Sequence, residues 1–378
     1  MKHVSGPLIL QMSLMSRSGP LPVTRVLLTR LFLLVSMTKA KNHNSITLVD
    51  VARKAAVSLK TASRVLNGES SVSPRTAAKV RTAMVRLGYR PNELARGLKA
   101  GKSGTIGMIV KNLSDPFASM AVEGVEEVAR ANGSIVILAN SRWDTNIERS
   151  EVETLIRRQV DGLVIAPIGS LESSFADIIP SGLNVVTLDQ PTRNTAFDSV
   201  MIDNSRSTKN AVQHLLGHGY QRIVALGTRP RLFTSSQRVA GYRDAMKGAG
   251  LEARAGLVED EGLMTSDWIA RLVFDRHQAD AIICMNWVCT MLVLRGLRDL
   301  GQRLIEDVAF LSFDDFDLAD MMTPSISAVR QPTKAFGYEA GRLLFERMRR
   351  DFTGKPRSIL LPTELILRES CGCTPPRE

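Results

Sequence analysis

The chain of 378 residues lacks most of the features that announce an enzyme or an exported protein. It has four cysteines, Cys284, Cys289, Cys371 and Cys373, none in a C-x-x-C pair and none at the Cys/His spacing of a zinc site. Reduced thiols are expected, two in a core segment and two in an exposed tail pair, as in a reducing cytoplasm. The five histidines, His3, His43, His214, His218 and His277, make no recognisable catalytic set. His214 and His218 stand four apart on a helical stretch, a spacing that can grip a metal. No third ligand lies nearby, so core and surface roles are expected and no metal site. There is no G-x-S-x-G, no H-E-x-x-H and no dinucleotide fingerprint. Residues 97–103 imitate a phosphate loop, but only three residues separate Gly97 from Gly101-Lys102-Ser103, and no strand precedes them. Neither an enzyme nor a cofactor is expected.

Long apolar runs are also missing near the N-terminus. The longest there, residues 31–35, is five residues long and is bounded by Arg30 and Ser36. A secretory core needs roughly 7–15 apolar residues and a membrane helix about 20. Acidic residues are absent from residues 1–45, which carry six Lys/Arg. This stretch is expected to be a disordered extension, or a start placed ahead of a true initiator at Met37. A cytoplasmic, nucleoid-associated chain with no membrane partner follows.

What is present is ordinary globular material, 44% hydrophobic and 23% charged, long enough for two or three domains. The net charge of +11 is uneven: +6 over residues 1–45, +9 over residues 46–102 and −4 over the rest. A small basic head on a mildly acidic body suggests a polyanion bound at one end.

Within that head, Thr47 and Asp50 can open a two-turn helix whose apolar face is Leu48, Val51, Ala52 and Ala55. Ser58 can cap a second helix over 59–66, closed by Asn67-Gly68. Ser73 caps a third, with Pro74 at its first position, running to Gly88. Three short helices with a three-residue turn between the first two are a helix-turn-helix layout. The second helix would be the reader. Lys60, Thr61, Ser63 and Arg64 face outward, and Ala62, Val65 and Leu66 face the core. Arg64 can donate twice to guanine N7 and O6, and Lys60 can reach a base edge or a phosphate. Ser73 and Thr76 lie at a helix N-terminus suited to a phosphate.

The run T-L-V-D-V-A-R-K-A-A-V-S-L-K-T-A-S-R-V-L-N-G, then V-S-P-R-T, then L-G-Y-R-P-N, closely resembles the DNA-binding head of the LacI/GalR family of bacterial transcriptional regulators. The likeness is nearly continuous from Thr47 to Asn92. It implies that Leu59, Lys60 and Arg64 read the major groove of a double-stranded operator. It also implies that Ser58, Thr61, Ser63, Asn67, Ser73 and Thr76 mostly hold the DNA backbone. Residues 46–91 would form this head and residues 92–103 a hinge. In the hinge Asn92 can cap a short helix, with Leu94, Ala95 and Leu98 on one side, while Gly97 costs about 1 kcal/mol relative to alanine. Such a segment should order only when paired on DNA. The resemblance places Leu98 as a wedge in a minor-groove step, with Lys99 beside it.

From Thr105 onward apolar runs alternate with helical stretches. Strands are expected over 105–110, 134–139, 162–167, 184–188, 199–202, 222–226, 280–285 and 308–313. Helices are expected over 117–132, 147–159, 205–219, 236–250 and 288–301. This alternation predicts parallel sheets covered on both faces, too many strands for one sheet, and therefore two Rossmann-like lobes over residues 104–378 with a ligand cleft beyond the strand ends. The resemblance continues through Asp115-Pro116-Phe117, Asp161-Gly162-Leu163, Arg238-Val-Ala-Gly241-Tyr242, Phe313-Asp314-Asp315 and Leu367-Arg368-Glu369-Ser370. It implies a body of the periplasmic-binding-protein type that closes around a small molecule by hinge bending. By position it carries effector contact to Asp115, Phe117, Asp189, Arg238, Asn286, Trp287 and Asp314. Such side chains suit the hydroxyls of a carbohydrate, and Arg238 suits a carboxylate or phosphate as well. Three departures stand out: Ala118 replaces a second aromatic, Trp287 follows Asn286 where Asp is common, and Gln190 stands where Arg is frequent. Trp287 could stack on a sugar ring. The whole reads as a homodimeric repressor on a pseudo-palindromic site. The alternative is a solute-binding protein using only the body, which would have no use for the basic head.

Overall fold

The computed structural model describes residues 46–90, 102–169, 175–192 and 197–374. The expected extension over 1–45 lies outside the described residues, as does most of the hinge with Asn92, Leu98 and Lys99. Internal contacts divide the chain into two units, Met1–Asn92 and Glu93–Glu378.

The first unit is built by its caps. Helix α1 (Leu48–Ala55) opens on a reciprocal pair, with the Asp50 amide donating to Thr47 Oγ1 at 3.4 Å and the Thr47 amide donating to Asp50 Oδ2 at 3.0 Å. It ends where Ala56 turns left-handed. Helix α2 (Leu59–Leu66) starts at Ser58, whose Oγ accepts from the Thr61 amide at 3.1 Å. Helix α3 (Pro74–Leu87) starts at Ser73 with Pro74 in its first turn and stops at left-handed Gly88. Val51, Ala52 and Ala55 of α1, Ala62 and Val65 of α2, and Val80 and Ala83 of α3 close one small core. Leu66, expected to face that core, is only half-buried, because Ala62 and Val65 already fill the α2 side of it.

In the second unit, strands β1 (Thr105–Val110), β2 (Ile135–Asn140), β3 (Gly162–Ile165), β4 (Asn184–Leu188) and β5 (Asp198–Ile202) alternate with helices α4 (Pro116–Ala131) and α5 (Thr145–Arg157). The chain then passes into α6 (Asn204–Gly217), β6 (Ile223–Thr228), α7 (Phe233–Gly248) and β7 (Arg254–Val258). Next come α8 (Ser266–Ile269), extended by a π-helical stretch (Ala270–Arg276), β8 (Ala281–Cys284), α9 (Trp287–Asp299), β9 (Ala309–Phe313) and β10 (Ser327–Arg330). Helix α10 (Thr333–Arg349), β11 (Ser358–Leu361) and β12 (Glu364–Ile366) follow, and a 3-10 turn (Glu369–Cys371) is the last of the described elements.

Two six-stranded sheets result, in the orders β11-β5-β4-β3-β1-β2 and β12-β10-β9-β8-β6-β7. Every pair in the first is parallel, and in the second only β10 and β12 are antiparallel. The backbone therefore passes between sheets three times: after β5, between β10 and α10, and between β11 and β12. Helix α10 packs on α4 and on the first sheet, so the last part of the chain completes both lobes. Asp198 at the start of β5 fastens this return, accepting from Arg347 on α10 at 2.7 and 2.9 Å and from Arg357 beside β11 at 3.1 Å. The inner strands β1, β3, β4, β6, β8 and β9 are buried almost throughout, which is why they read as continuous apolar runs.

Candidate functional site

The head offers the exposed side of α2. Leu59 is half-exposed and Lys60 exposed, while Ala62 and Val65 anchor the helix from behind. Among the described head residues the acidic groups are Asp50 and Glu69, and both are engaged. Asp50 closes the α1 cap, and Glu69 pairs with Arg64 at 3.4 Å. That pair is open to solvent on both sides, so it is worth little and can be exchanged for a guanine edge. Ser58 and Ser73 share one arrangement, each holding the hydroxyl of the residue three ahead, Thr61 and Thr76, at 2.9 Å. Both helix N-termini thus keep hydroxyls and free amides where a phosphate can be held. Ser63 and Asn67 fall on the same helix and its cap.

In the body, all seven residues expected to meet an effector line one cleft, open to solvent at its mouth. They reach it because Asp115, Asp189, Asn286 and Asp314 follow the C-terminal ends of β1, β4, β8 and β9, where ligands of such sheets bind. Asp189 and Asp314 take left-handed backbone, at φ 70° and 83°, which turns each carboxylate out of its strand line.

Each side chain is held. Asp115 Oδ1 caps α4 by accepting from the Phe117 amide at 2.9 Å. Burial, together with the Asp314 carboxylate, pushes Asp115 up to about 6. Asp314 Oδ2 accepts from the Trp287 amide at 3.1 Å, and Gln331 Nε2 donates to its other oxygen. Arg238 is buried; its Nε donates to Asn204 Oδ1 and its Nη1 to the Met285 carbonyl, both at 2.7 Å, and its guanidinium lies over the Phe313 ring. Asp189 pairs with Lys111 at 2.5 Å in a buried contact. Asp315 instead ties the C-terminal segment, accepting from Arg368 and Arg330, and does not reach this part of the cleft.

Among the lining residues that escaped the sequence reading are Lys111, Trp143, Arg229 and Gln331. Lys111 directly follows β1, so the strand-end rule could have found it. Trp143 follows β2 on left-handed backbone at φ 61°, outside any periodic pattern. The Arg229 guanidinium lies 4.6 Å from the Trp143 ring centre and 3.0 Å from Glu261, joining the two lobes across the cleft. Gln190, where a departure was noted, does not line the cleft; its amide nitrogen binds the Pro167 and Gly169 carbonyls. Two buried polar atoms of the lining have no partner, Arg229 Nε and Gln331 Oε1.

A helix-turn-helix head joined to a two-lobed, cleft-bearing body defines a DNA-binding transcriptional regulator. Comparison with known proteins agrees. Residues 47–92 match the "Bacterial regulatory proteins, lacI family" and residues 212–371 match a "Periplasmic binding protein-like domain". The HTH-type transcriptional regulator PtxS of Pseudomonas putida is 32% identical over 348 residues, covering 88% of this chain and 99% of that protein. A transcriptional regulator CelR–cellobiose complex is 29% identical, with 86% of this chain and 99% of that chain covered and a TM-score of 0.63. The lac repressor dimer bound to operator and an anti-inducer has the same fold, with a TM-score of 0.76 at 24% identity over 87% of this chain and 99% of that one. The chain belongs to the LacI family of bacterial regulatory proteins.

Proposed function

We propose that the chain is a homodimeric repressor of the bacterial cytoplasm, seated on a pseudo-palindromic operator, and that a carbohydrate closing the cleft sets its grip. The observation that carries the ligand class is the cleft itself. Indole walls from Trp143 and Trp287 and the Phe117 ring face a ring of carboxylate, amide and guanidinium groups. Flat apolar faces with polar hydrogen-bonding edges are the complement of a pyranose. Arg229 Nε and Gln331 Oε1 lie buried and unpartnered behind this ring. The cellobiose complex and the operator-bound dimer among similar structures support the same reading. Ligand is bound here and not transformed. Lys111 and Arg238 add donors for ligand hydroxyls, each balanced by a carboxylate, Asp189 at 2.5 Å and Asp314 at 4.0 Å. Leu59, Lys60 and Arg64 choose the operator; Ser58, Thr61, Ser63, Asn67, Ser73 and Thr76 hold its backbone. Asn92, Leu98 and Lys99 are assigned to the hinge contact on sequence alone.

The test is a thermal-shift screen of the full chain with sugars, sugar acids, polyols and nucleosides, followed by operator binding with each hit. A sugar or sugar acid should raise Tm and change operator affinity by roughly 5–150-fold, the usual size of such coupling. Trp287→Ala should abolish the shift. Arg64→Ala should keep it while weakening cognate DNA binding by about 1–3 kcal/mol. A response to nucleosides alone, or equal loss of DNA and effector binding in Arg64→Ala, would overturn the proposal.

A further inference from the structure

The two histidines and two cysteines that made no motif in the sequence meet in space. His214 in the last turn of α6 and His218 just beyond it share one helix face, with ring centres 4.8 Å apart. After β12 the 3-10 turn brings Cys371 and Cys373 against that face. Left-handed Gly372, φ 93°, lets the chain reverse between them, and a Cβ there would crowd Tyr220 Oη at 2.8 Å. His214 Nε2 lies 3.2 Å from Cys371 Sγ and 3.5 Å from Cys373 Sγ; His218 Nε2 lies 3.3 Å from Cys373 Sγ. All four ligand atoms fall within 4.8 Å of one another. The expectation that no third ligand stands near the histidines is thereby corrected: the contacting cysteines lie 155 to 159 residues further along the chain.

We propose that His214, His218, Cys371 and Cys373 form a tetrahedral site for a thiophilic divalent cation, zinc foremost, which staples the C-terminal segment to the end of α6. Three observations carry this. First, the contacts converge. His214 Nε2 has a single lone pair or a single proton, yet it faces two sulfurs, and Cys373 Sγ faces two ring nitrogens. Pairwise hydrogen bonds cannot satisfy that pattern, whereas one central ion does. Second, the spacing fits: with Zn–S of about 2.3 Å and Zn–N of about 2.0–2.1 Å, a tetrahedron has N···S edges of about 3.5 Å. Third, the donor set of two thiolates and two imidazoles selects zinc over hard cations such as magnesium or calcium, and the two thiolates balance its charge.

The surroundings are already built. The Ser327 hydroxyl donates to Cys371 Sγ at 3.1 Å, the outer-shell contact that steadies a ligating thiolate. Ser370 Oγ donates to the Phe310 carbonyl at 2.7 Å, and the Ser325 amide donates to the Glu369 carboxylate at 2.8 Å, so the turn is fixed without the ion. Cys371 is buried and His218 is exposed, which leaves one side of the site open for an ion to enter. Helix α6 also spans the lobe. Its first residue, Asn204, holds Arg238 of the effector cleft, and the proposed ion sits about 20 Å away at its other end.

The experiment uses the full reduced chain. Metal content by mass spectrometry and zinc affinity by competition with a chromophoric chelator should show one zinc per chain. Cobalt substitution should give the intense visible bands of a tetrahedral ion with thiolate charge transfer. Cys373→Ser and His218→Asn, on the open side, should each weaken zinc binding about tenfold or more and remove the zinc-dependent rise in Tm. Because Cys371 is packed in the core, its replacement is not used. An octahedral cobalt spectrum, variants that bind zinc as the parent does, or a Cys371–Cys373 disulfide that persists under reducing conditions would overturn the proposal.

Discussion

Asp115 keeps its proton at a pH where an ordinary aspartate has lost it. Its value of about 6 follows from burial at the α4 N-terminus and from the Asp314 carboxylate of the other lobe. A folded value above the unfolded one means the folded chain binds the proton more tightly. The associated stability is complete below about pH 4 and is lost as pH rises through about 6. Asp115→Asn retains an oxygen for the Phe117 amide but no charge. It should raise stability near pH 7.5 by up to about 3 kcal/mol and change it little near pH 4, measured by denaturant unfolding at both values. A ligand hydroxyl donating to this group favours the charged form, so effector affinity in the parent chain should fall as pH drops below about 6. Equal stability gain at both pH values would show that the carboxyl is not shifted.

At the scale of elements, glycine sets how closely helices approach. A Cβ on Gly241 of α7 would strike the Ser205 carbonyl of α6, and one on Gly337 of α10 would strike the Ala121 carbonyl of α4. Gly241→Ala should cost about 1–3 kcal/mol by urea unfolding. It should also weaken effector binding, because Arg238 and Asn204 sit on the two helices being pried apart; unchanged affinity would mean that the cleft tolerates their displacement. The neighbouring Tyr242 is structural, its hydroxyl donating to the Ile223 carbonyl at 2.8 Å.

This packing explains what could be read from the sequence. The head helices were legible almost to the residue because their caps, Thr47, Ser58, Ser73-Pro74 and Gly88, are local chemistry. The eight expected strands of the body were legible as apolar runs. Helix α10 was not, because Gly337 and Gly341 interrupt its pattern for the sake of α4. Strands β11 and β12 were not, being edge strands of four and three residues with partly exposed side chains. Strand β7 is likewise an edge strand with partly exposed side chains, and β10 has only Ala328 and Val329 as apolar residues. Strand-end position suits Asp115, Asp189, Asn286 and Asp314, and the resemblance supplied Phe117, Arg238 and Trp287 on their helices, but Trp143 and the partners of His214 depend on tertiary contact alone.

For the molecule as a whole, the return of the chain is secured at Asp198. Burial pushes its carboxyl up, but the bonds from Arg347 and Arg357 outweigh this and hold it below the usual range. That contribution is present above the ordinary carboxylate value and is lost as pH falls through the lowered one, opposite in sign to Asp115. Asp198→Ala leaves two guanidinium groups facing each other and should cost about 3–5 kcal/mol in chemical denaturation. A cost near zero would show the network to be ornamental. The three passages between the sheets also constrain motion. Each is only one or two residues long, at 203, 331–332 and 362–363, so sliding or twisting of one sheet against the other would stretch at least one of them. Hinge bending is the motion that such short connections permit. Gln331 is part of the second passage and donates to Asp314 inside the cleft, so a guest expected to pull on that carboxylate would pull on the connection itself.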